Sequence, residues 1–511
     1  MSLLAIDIGT SRAKGIAFNA SGAILAQHES SYSPNFPRPS FAELNAVAFW
    51  NALQDLCRAI SEELGGDPVE ALCICSHGET FICVDSKGDA LAPAILNLDG
   101  RAAEESVWFA ENFGTRELFR ITGLVAHPMY PLPKIIWLRK HAPELFRGAR
   151  FLPVISYLFE RMALPPVIDY SLASRFLAFD ILRRSWSAEI FGLAEISASQ
   201  LPEAVAAGTP VGKLSTEIAR QLGLTAGIPI VVGGHDQACA ALGVGSIEAG
   251  RVSDSAGTYE CLTVVTSQPQ LGEAALVANL NSYCHVAPGV FLTLAFFPSG
   301  IMVDWFCDLI FGRCDIGTGA SNLANESRYA SLEEQAPAEP TGLCITPNLI
   351  GTCHPDFNPH ARGVIWGIGP ASNRAQIYKG ILEGIAMEFA GITACLERVT
   401  GPFAEVYATG GGMRSRLGVR LRASLSGKQI QLLACPDAVC LGGAMLASVA
   451  AGTHANIATA ARAMVQTGAV VAPDSKEAAS YHEQFRRYHS LSSVTRDLGQ
   501  RRSNRSKEKL Q

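Results

Sequence analysis

Residues 3–26 read LLAIDIGTSRAKGIAFNASGAILA, and this stretch decides the fold. Apolar residues run from Leu3 to Ile6, stop at the polar turn Asp7 to Ser11, and return between Gly15 and Phe18. A second polar turn, Asn19 to Gly22, precedes a third apolar run. Apolar runs of this length, separated by short turns that contain Gly, Asn and Ser, are typical of antiparallel strands. We therefore predict three hairpin strands at the start of the chain.

The pattern of strand, turn and strand occurs again after residue 250. Arg251 to Thr266 has a Gly-Thr turn within Asp254 to Thr258, in the same place as the Gly-Thr of the first hairpin. Just before it, residues 228–243 (IPIVVGGHDQACAALG) read as a buried strand, a Gly-Gly turn and an Ala-rich helix that begins at Asp236. Strands and helices alternate through the first half of the chain. The pattern predicts an α/β protein with a duplicated core.

The boundary between the two copies is expected near residues 245–250. We predict an N-terminal domain over residues 1–247, a C-terminal domain over residues 248–490, and a polar, basic and disordered tail over residues 491–511. The sequence has no low-complexity linker between the copies, so we expect the two domains to lie close together.

The composition excludes several classes of protein. The 511 residues are 48% hydrophobic and 17% charged, which suits a large packed core. The net charge of -6 lacks the basic excess that binds nucleic acid. The first residues have no basic region of a signal peptide, and the apolar stretch from Ala438 to Ala451 is shorter than the about 20 residues that span a membrane. With 14 cysteines and no export signal, we predict reduced thiols and a cytoplasmic protein without a membrane partner.

Three Gly-rich turns each follow a strand: Asp7 to Ser11, Gly257-Thr258 and Gly410 to Gly412. Glycine lets a backbone approach a ligand closely, and the exposed N–H groups of such turns bind anions. Thr10, Ser11 and Thr258 add hydroxyl donors. Neither the Walker A pattern nor a Gly-x-Gly-x-x-Gly after the first strand is present. We predict that the turns hold phosphates from two sides.

Asp236 is the strongest candidate for a catalytic residue. It is either the N-cap of the helix that follows, or a general base at the end of a strand, where α/β proteins bind ligands. As a base it would accept the proton of a substrate hydroxyl during phosphoryl transfer. Asp7, beside Thr10, is a candidate for orienting water around Mg²⁺. His77, Glu79, Asp99 and Arg101 would form a donor and acceptor cluster for a polyhydroxylated ligand.

From about residue 3 to about residue 450 the chain resembles the FGGY carbohydrate kinases of the actin, hexokinase and heat-shock-70 ATPase superfamily. AIDIGTSRAKGIAFNASGAILA is similar to the opening phosphate hairpin of that family, and SHGET and PAILNLDGRA are similar to its substrate segments. GIPIVVGGHDQACAALGVG is similar to the segment with the catalytic Asp. The other similar segments are GTYE, PSGIMVDWF, ATGGGMRSRLGVRLRASLSGKQI and LGGAMLA.

The resemblance implies two ribonuclease H-like, actin-like ATPase domains with a cleft between them, and a kinase that uses ATP and Mg²⁺. It implies Asp236 as the base, Asp7 and Asp236 near the metal, and His77, Glu79, Asp99, Asp236 and Gln237 at the sugar or polyol. For ATP it implies the following residues: Thr10, Ser11, Arg12, Gly257, Thr258, Gly300, Gly411, Gly412 and Ser415. The expected partners are a small-molecule substrate and a second copy of the chain in a homodimer.

Two positions depart from the family pattern. Many relatives have Trp in the place of Asn97, which changes the expected contact with the carbon chain of the substrate. Tyr259 and Glu260 replace small residues after the second Gly-Thr, and an acidic side chain close to phosphates is unfavourable unless it points away. The substrate therefore stays open between a ketopentose such as xylulose and a polyol such as glycerol, a tetritol or a pentitol. Two other functions also stay open: an assembly ATPase with the same fold, and a sugar-binding pseudokinase.

Overall fold

The computed structural model describes residues 2–312 and 328–494. In the first half the strands are β1 (Ser2–Ile8), β2 (Arg12–Phe18), β3 (Ile24–Ser31), β4 (Glu43–Leu44), β5 (Val69–Ser76), β6 (Phe81–Val84), β7 (Ala94–Ile95), β8 (Arg150–Pro153), β9 (Ile168–Asp169), β10 (Phe179–Asp180), β11 (Ser185–Trp186), β12 (Ala204–Val205), β13 (Pro210–Lys213) and β14 (Pro229–His235). Its helices are α1 (Val47–Glu63), α2 (Ala103–Phe113), α3 (Thr115–Thr122), α4 (Pro131–His141), α5 (Pro143–Gly148), α6 (Val154–Arg161), α7 (Tyr170–Ser174), α8 (Ala188–Ala194), α9 (Thr216–Leu222) and α10 (Asp236–Gly243).

In the second half the strands are β15 (Val252–Ala256), β16 (Tyr259–Thr266), β17 (Asn281–Cys284), β18 (Phe291–Pro298), β19 (Cys344–Thr346), β20 (Val364–Trp366), β21 (Glu405–Thr409), β22 (Gln429–Leu433) and β23 (Thr467–Val471). Its helices are α11 (Glu273–Val277), α12 (Gly300–Phe311), α13 (Arg374–Thr400), α14 (Arg416–Ser426), α15 (Ala438–Ala450), α16 (Ile457–Met464) and α17 (Ser475–Ser480). Residues 328–334 and 482–494 are also helical.

The two large sheets share one topology. The first has the strand order β13-β14-β5-β1-β2-β3, and the second has the order β17-β18-β16-β15-β21-β22-β23. In the first sheet β3, β2 and β1 are antiparallel, and β1, β5 and β14 are parallel. In the second sheet β18, β16 and β15 are antiparallel, and β15, β21 and β22 are parallel. The prediction of a duplicated α/β core is therefore confirmed.

Local sequence explains the elements on which this topology depends. The three predicted hairpin strands are β1, β2 and β3, and the helix predicted to begin at Asp236 is α10. Because side chains alternate between the two faces of β1, Leu4, Ile6 and Ile8 pack in the hydrophobic core of the first half. Leu3 and Ala5 pack on the opposite face of the sheet, where Asp7 also lies because it has the same parity along the strand. Asp7 thus faces the second half of the molecule.

A hydrophobic core joins the two halves. It includes Leu3 and Ala5 of β1, Leu242 of α10, and Leu441 and Ala444 of α15, all of which are at most 1% exposed. Helices α10 and α15 cross at glycines. A Cβ on Gly243 would lie 1.9 Å from the carbonyl oxygen of Ala438, and a Cβ on Gly442 would lie 2.0 Å from that of Cys239. Since no real Cβ tolerates such distances, the helices can approach this closely only without side chains at the crossing.

The C-terminal segment and the cysteines can be compared with the predictions from the sequence. The predicted disordered tail begins at residue 491, but residues 491–494 are helical, and residues 495–511 lie outside the described residues. Thirteen cysteines within the described residues are free thiols, and eleven of these are buried. Within residues 2–312 and 328–494, no helix has both the length and the apolar character that a membrane span requires.

Candidate active site

The parallel strands β1, β5 and β14 end at one edge of the first sheet. Ile8 pairs with Ser76, and His235 pairs with Ser76 from the other side. Because the carboxyl ends of parallel strands meet at the same edge, the segments that follow them converge. This edge therefore brings together the first Gly-Thr turn, the segment that contains His77 and Glu79, and the start of α10 at Asp236.

Asp236 is the first residue of α10, and His235 is its N-cap without a side-chain capping bond. Asp236 Oδ1 accepts a hydrogen bond of 2.6 Å from the backbone N–H of Gln237, and it lies 3.2 Å from His235 Nε2. The Asp236 side chain is 26% exposed. Burial and the carboxylate of Glu79 raise the pKa of Asp236 to about 7. A carboxylate with a pKa near neutrality can both accept and release a proton, which suits a general base.

Asp7 fits a metal site. Its Oδ1 is buried and has no hydrogen-bond partner within the described residues. Burial and the nearby carboxylates of Asp236 and Asp437 raise the pKa of Asp7 well above its ordinary value. A divalent cation would satisfy the free oxygen and offset the repulsion between these carboxylates. Mg²⁺ is usually held by one or two carboxylates together with phosphates and water, so Asp7 and Asp236 suit it.

Glu79 forms a buried ion pair that the sequence did not indicate. Arg175 Nε lies 2.6 Å from Glu79 Oε1, and the two side chains are 3% and 5% exposed. Glu79 has a φ of 64°, a left-handed conformation that costs energy for a residue with a Cβ and that concentrates at functional sites. Arg175 Nη1 is buried without a hydrogen-bond partner among the described residues. Arg175 therefore has a donor left for a ligand.

His77 and Asp99 have hydrogen-bond partners within the fold. His77 Nδ1 donates to the carbonyl oxygen of Ile8 at 2.8 Å, and its Nε2 accepts from the hydroxyl of Thr80 at 2.7 Å. Burial lowers the pKa of His77, which agrees with this neutral form. Asp99 is 1% exposed, and its oxygens accept from the backbone N–H of Ala42 at 2.7 Å and from the guanidinium of Arg101 at 2.7 and 2.8 Å. These bonds hold the loops on which His77 and Asp99 lie. Their contacts with the substrate stay predictions.

A hydrogen-bond chain connects the first Gly-Thr turn to these loops. The Thr10 hydroxyl donates to Asn97 Oδ1 at 3.3 Å, and the backbone N–H of Asn97 donates to Thr80 Oγ1 at 3.0 Å. Lys134, fully buried, donates to the carbonyl oxygens of Glu79 and Leu96 at 3.2 and 2.7 Å. Burial lowers the pKa of Lys134 to about 7. Lys134, like Arg175, was missed because its partners lie far away in the sequence and no local pattern marks them.

The glycines predicted at the nucleotide converge in the second half. The N–H of Gly300 donates to the carbonyl oxygen of Gly257 at 3.0 Å, and a Cβ on Gly300 would lie 2.4 Å from that oxygen. A Cβ on Gly412 would lie 2.9 Å from the Cβ of Ala256, at the end of β15. A Cβ on Gly411 would meet no atom of the described structure within 4 Å. Backbone atoms of three segments thus form one surface: the second Gly-Thr turn, the start of α12 and the Gly-Gly-Gly turn.

The other predicted residues occupy simpler positions. Arg12 begins β2 and forms an exposed ion pair with Glu29 at 3.5 Å, beside the exposed turn residue Ser11. Gln237 is half-buried next to Asp236. Ser415 is the N-cap of α14, where its hydroxyl accepts from the N–H of Gly418 at 2.9 Å. These roles in the fold leave their contacts with ATP or substrate as predictions.

Glu260 points away from the phosphate turn. Along β16, Glu260 shares its face with Leu262 and Val264, which pack in the core of the second half. Tyr259 and Cys261 lie on the opposite face. Glu260 is 0% exposed and is ion-paired with Arg422 of α14. The acidic residue after the second Gly-Thr is therefore compatible with phosphates at that turn.

Two family models match the chain. Residues 2–243 match the model described as the FGGY family of carbohydrate kinases, N-terminal domain, and residues 252–451 match the model of its C-terminal domain. Together these matches cover most of the chain.

Curated relatives and solved structures agree with these models. The xylulose kinase of Escherichia coli (strain K12) is 28% identical over 463 residues, which are 89% of this chain and 91% of the relative. The gluconokinase of Bacillus subtilis (strain 168) is 25% identical over 88% of both chains. A crystal structure of a xyloylose kinase from Brucella ovis has a TM-score of 0.85 at 22% identity, over 98% of this chain and 100% of the other. The Plasmodium falciparum glycerol kinase with ADP has a TM-score of 0.83 at 20% identity, over 95% and 98%. The two structures share the fold of this chain, and the predicted fold class is confirmed.

Proposed function

The chain belongs to the FGGY family of carbohydrate kinases, which makes it an ATP-dependent kinase of a sugar or polyol, and we propose that its acceptor is a terminal hydroxyl of a small neutral ketose or polyol. The predicted enzyme class is thereby confirmed. The identity of the acceptor, the roles of individual residues and the use of Mg²⁺ belong to the proposal.

The charges around Asp236 support a neutral substrate. The two cations of this cluster, Arg175 and Lys134, have partners already: Arg175 is ion-paired with Glu79, and Lys134 donates to two carbonyl oxygens. A carboxylate substrate would have to compete with Glu79 for Arg175. A hydroxyl needs only the unused Nη1 donor of Arg175 and the acceptor oxygens of Asp236 and Glu79. This favours the ketose or polyol acceptors that the names of the xylulose and glycerol kinases suggest over the aldonate of the gluconokinases.

In the proposed mechanism Asp236 is the general base. Its carboxylate accepts the proton of the terminal hydroxyl while the hydroxyl oxygen forms a bond to the γ-phosphorus and the bond from that phosphorus to the β-phosphate oxygen breaks. The hydroxyls of Thr10 and Thr258 and the backbone of the two Gly-Thr turns hold the phosphates. Gln237 and Glu79 orient the acceptor. Asp7 and Asp236 would hold Mg²⁺, which would supply positive charge at the phosphates. The single observation that carries the assignment is the position of the Asp236 carboxyl group, at the start of α10 and at the edge where the parallel strands β1, β5 and β14 end.

The two alternative functions receive less support. An assembly ATPase would not need the polar cluster of Glu79, Arg175 and Gln237, and the relatives found are named as kinases of small molecules. The pseudokinase alternative rested on Tyr259 and Glu260, which follow the second Gly-Thr. Glu260 lies on the core face of β16, where it does not oppose phosphate binding.

A coupled ADP-release screen tests the proposal. The acceptors are glycerol, tetritols, pentitols, ketopentoses and ketohexoses on one side, and aldonates on the other. We expect ADP release that depends on a neutral acceptor and is absent from an Asp236→Asn preparation. Turnover with aldonates alone would refute the neutral acceptor. Equal ATP turnover with and without every compound would instead favour the ATPase.

A further inference from the structure

A buried ionic cluster lies behind the second Gly-Thr turn. Arg422 Nε donates to Glu260 Oε1 at 2.7 Å, and Arg422 Nη2 donates to Glu260 Oε2 at 2.6 Å. The hydroxyl of Ser299 donates to Glu260 Oε2 at 2.7 Å. All three side chains are at most 2% exposed. The cluster is therefore a two-pronged pair with an additional hydroxyl donor, the arrangement in which charged hydrogen bonds are strongest and most directional.

Each member of the cluster belongs to a different segment of the candidate nucleotide surface. Glu260 follows Thr258 by two residues, and Ser299 precedes Gly300. Arg422 lies on α14, two turns after the N-cap Ser415, and its Nη1 lies 3.0 Å from where a Cβ on Gly418 would stand. The cluster thus links the second Gly-Thr turn, the start of α12 and the start of α14.

Stability alone does not account for such a cluster. Removing two charges from water costs energy, and replacing a buried ion pair by apolar side chains is often neutral or stabilising. Asp254 adds to this cost, because it is 0% exposed and neither of its oxygens has a hydrogen-bond partner among the described residues. Unlike apolar packing, the ion pair fixes the direction and the distance between two segments.

We propose that Arg422 and Glu260 are positioning residues for the nucleotide. They fix α14 relative to the second Gly-Thr turn, so that Thr258 and Ser415 can contact the same ATP molecule. Neither side chain touches the ligand itself. The inference rests on the proposed placement of ATP at these segments, and it adds two residues that the sequence did not select for that site.

The test compares the Michaelis constants for ATP and for the acceptor. Glu260→Gln keeps the shape of the side chain but removes its charge, and the double variant Glu260→Leu with Arg422→Met replaces the pair by apolar groups. We expect both to raise KM for ATP roughly 10-fold or more, since small displacements of positioning groups have effects of that size. KM for the acceptor should change less than about 2-fold. ADP binding, measured by calorimetry, should weaken in parallel with KM for ATP.

A control pair lies at the other end of α14. Lys428 pairs with Glu397 at 2.5 Å, away from the Gly-Thr turn, and Lys428→Met with Glu397→Gln should keep both Michaelis constants near wild type. Thr258→Ala distinguishes a wrong placement of ATP from a wrong positioning role of Arg422 and Glu260. If Thr258→Ala leaves KM for ATP unchanged, the placement of ATP at this turn is wrong.

If Thr258→Ala weakens ATP binding while the folded cluster variants bind ATP normally, the positioning role is wrong. Thermal unfolding is recorded for every variant. Should all cluster variants fail to fold, the cluster serves stability only, which would also overturn the proposal.

Discussion

The first and second Gly-Thr turns each close an antiparallel hairpin, but the charges around them differ. In each, a glycine N–H bonds back across the hairpin, from Gly9 to Arg12 O at 2.9 Å and from Gly257 to Tyr259 O at 2.8 Å. Two residues before the glycine, the first turn has Asp7 and the second has Ser255. Asp7 lies on the face of the sheet between the two halves. The acidic residues near the second turn, Asp254 and Glu260, are instead buried in the core of the second half.

The difference assigns different work to the two copies. The first half places carboxylates where substrate and metal would meet, and Asp236 is close enough to Asp7 to raise the pKa of Asp7. The second half offers backbone and hydroxyl groups at its turn, and its ionic groups Glu260 and Arg422 are buried. On the proposed function, the first half is the reacting copy and the second half is the holding copy.

The largest effect should follow from Asp236→Asn, in the reacting copy. The amide keeps the size of the side chain but cannot accept a proton, so kcat should fall about 100- to 10,000-fold. Initial-rate kinetics measure the loss, and calorimetry should show that ATP still binds. Asp474→Asn, an exposed capping residue of α17, is the matched control and should keep wild-type kcat. Near-normal turnover of a folded Asp236→Asn variant would show that Asp236 is not the base. A large fall in its melting temperature would indicate a structural role instead.

Asp7→Asn and Ser255→Ala compare the two turns directly. We expect Asp7→Asn to lower kcat/KM on the order of 100-fold, the size of effect that several kcal/mol of metal-assisted stabilisation implies. Ser255→Ala should change kcat/KM less than about 3-fold, because the second turn contributes backbone groups rather than a charge. Raising the Mg²⁺ concentration should partly restore Asp7→Asn and leave Ser255→Ala unaffected. Equal losses in both variants would show that the two turns share the work equally.

The smallest effect concerns Asp254 and the stability of the holding copy. Burial and Glu260 raise the pKa of Asp254 well above its ordinary value, so the folded protein keeps the proton that the unfolded chain releases. The stability from this protonated group is present below the ordinary pKa and is lost as pH rises toward the raised pKa. At pH values above the ordinary pKa of aspartate, Asp254→Asn should therefore reduce the decline of the unfolding free energy with pH, by at most about 1.4 kcal/mol per pH unit. Denaturant titrations at several pH values measure the slope, and parallel slopes for variant and wild type would contradict the buried, protonated state.

The sequence predicted those features of the fold that depend on residues close together in the chain. The hairpin strands, both Gly-Thr turns and the helix at Asp236 were predicted correctly, because alternation, glycine and apolar spacing specify them locally. The direction of Glu260 was also encoded, since Leu262 and Val264 share its face of β16, but its partner Arg422 is 162 residues away. The same holds for Arg175, which pairs with Glu79 across 96 residues.

The hydrogen-bond partners of His77 and Asp99 show the limit of reading residue types alone. Both are polar residues in loops that follow strands, and the fold supplies Ile8, Thr80, Ala42 and Arg101 as their partners. Whether the two side chains also contact the substrate stays a prediction. Which distant segment supplies such a partner is decided by tertiary packing, which no short motif records.

The glycine crossing of α10 and α15 has a consequence for handling this protein in pieces. The crossing lies inside a core to which both halves contribute, from Leu3 to Leu441. If the chain were cut near residue 247 and each half expressed alone, each polypeptide would expose an apolar face where Gly243 now lies against Ala438 and Gly442 against Cys239. The halves repeat one topology, but they form one folding unit, and a split reporter or a domain exchange with a relative would have to transfer α10 and α15 together.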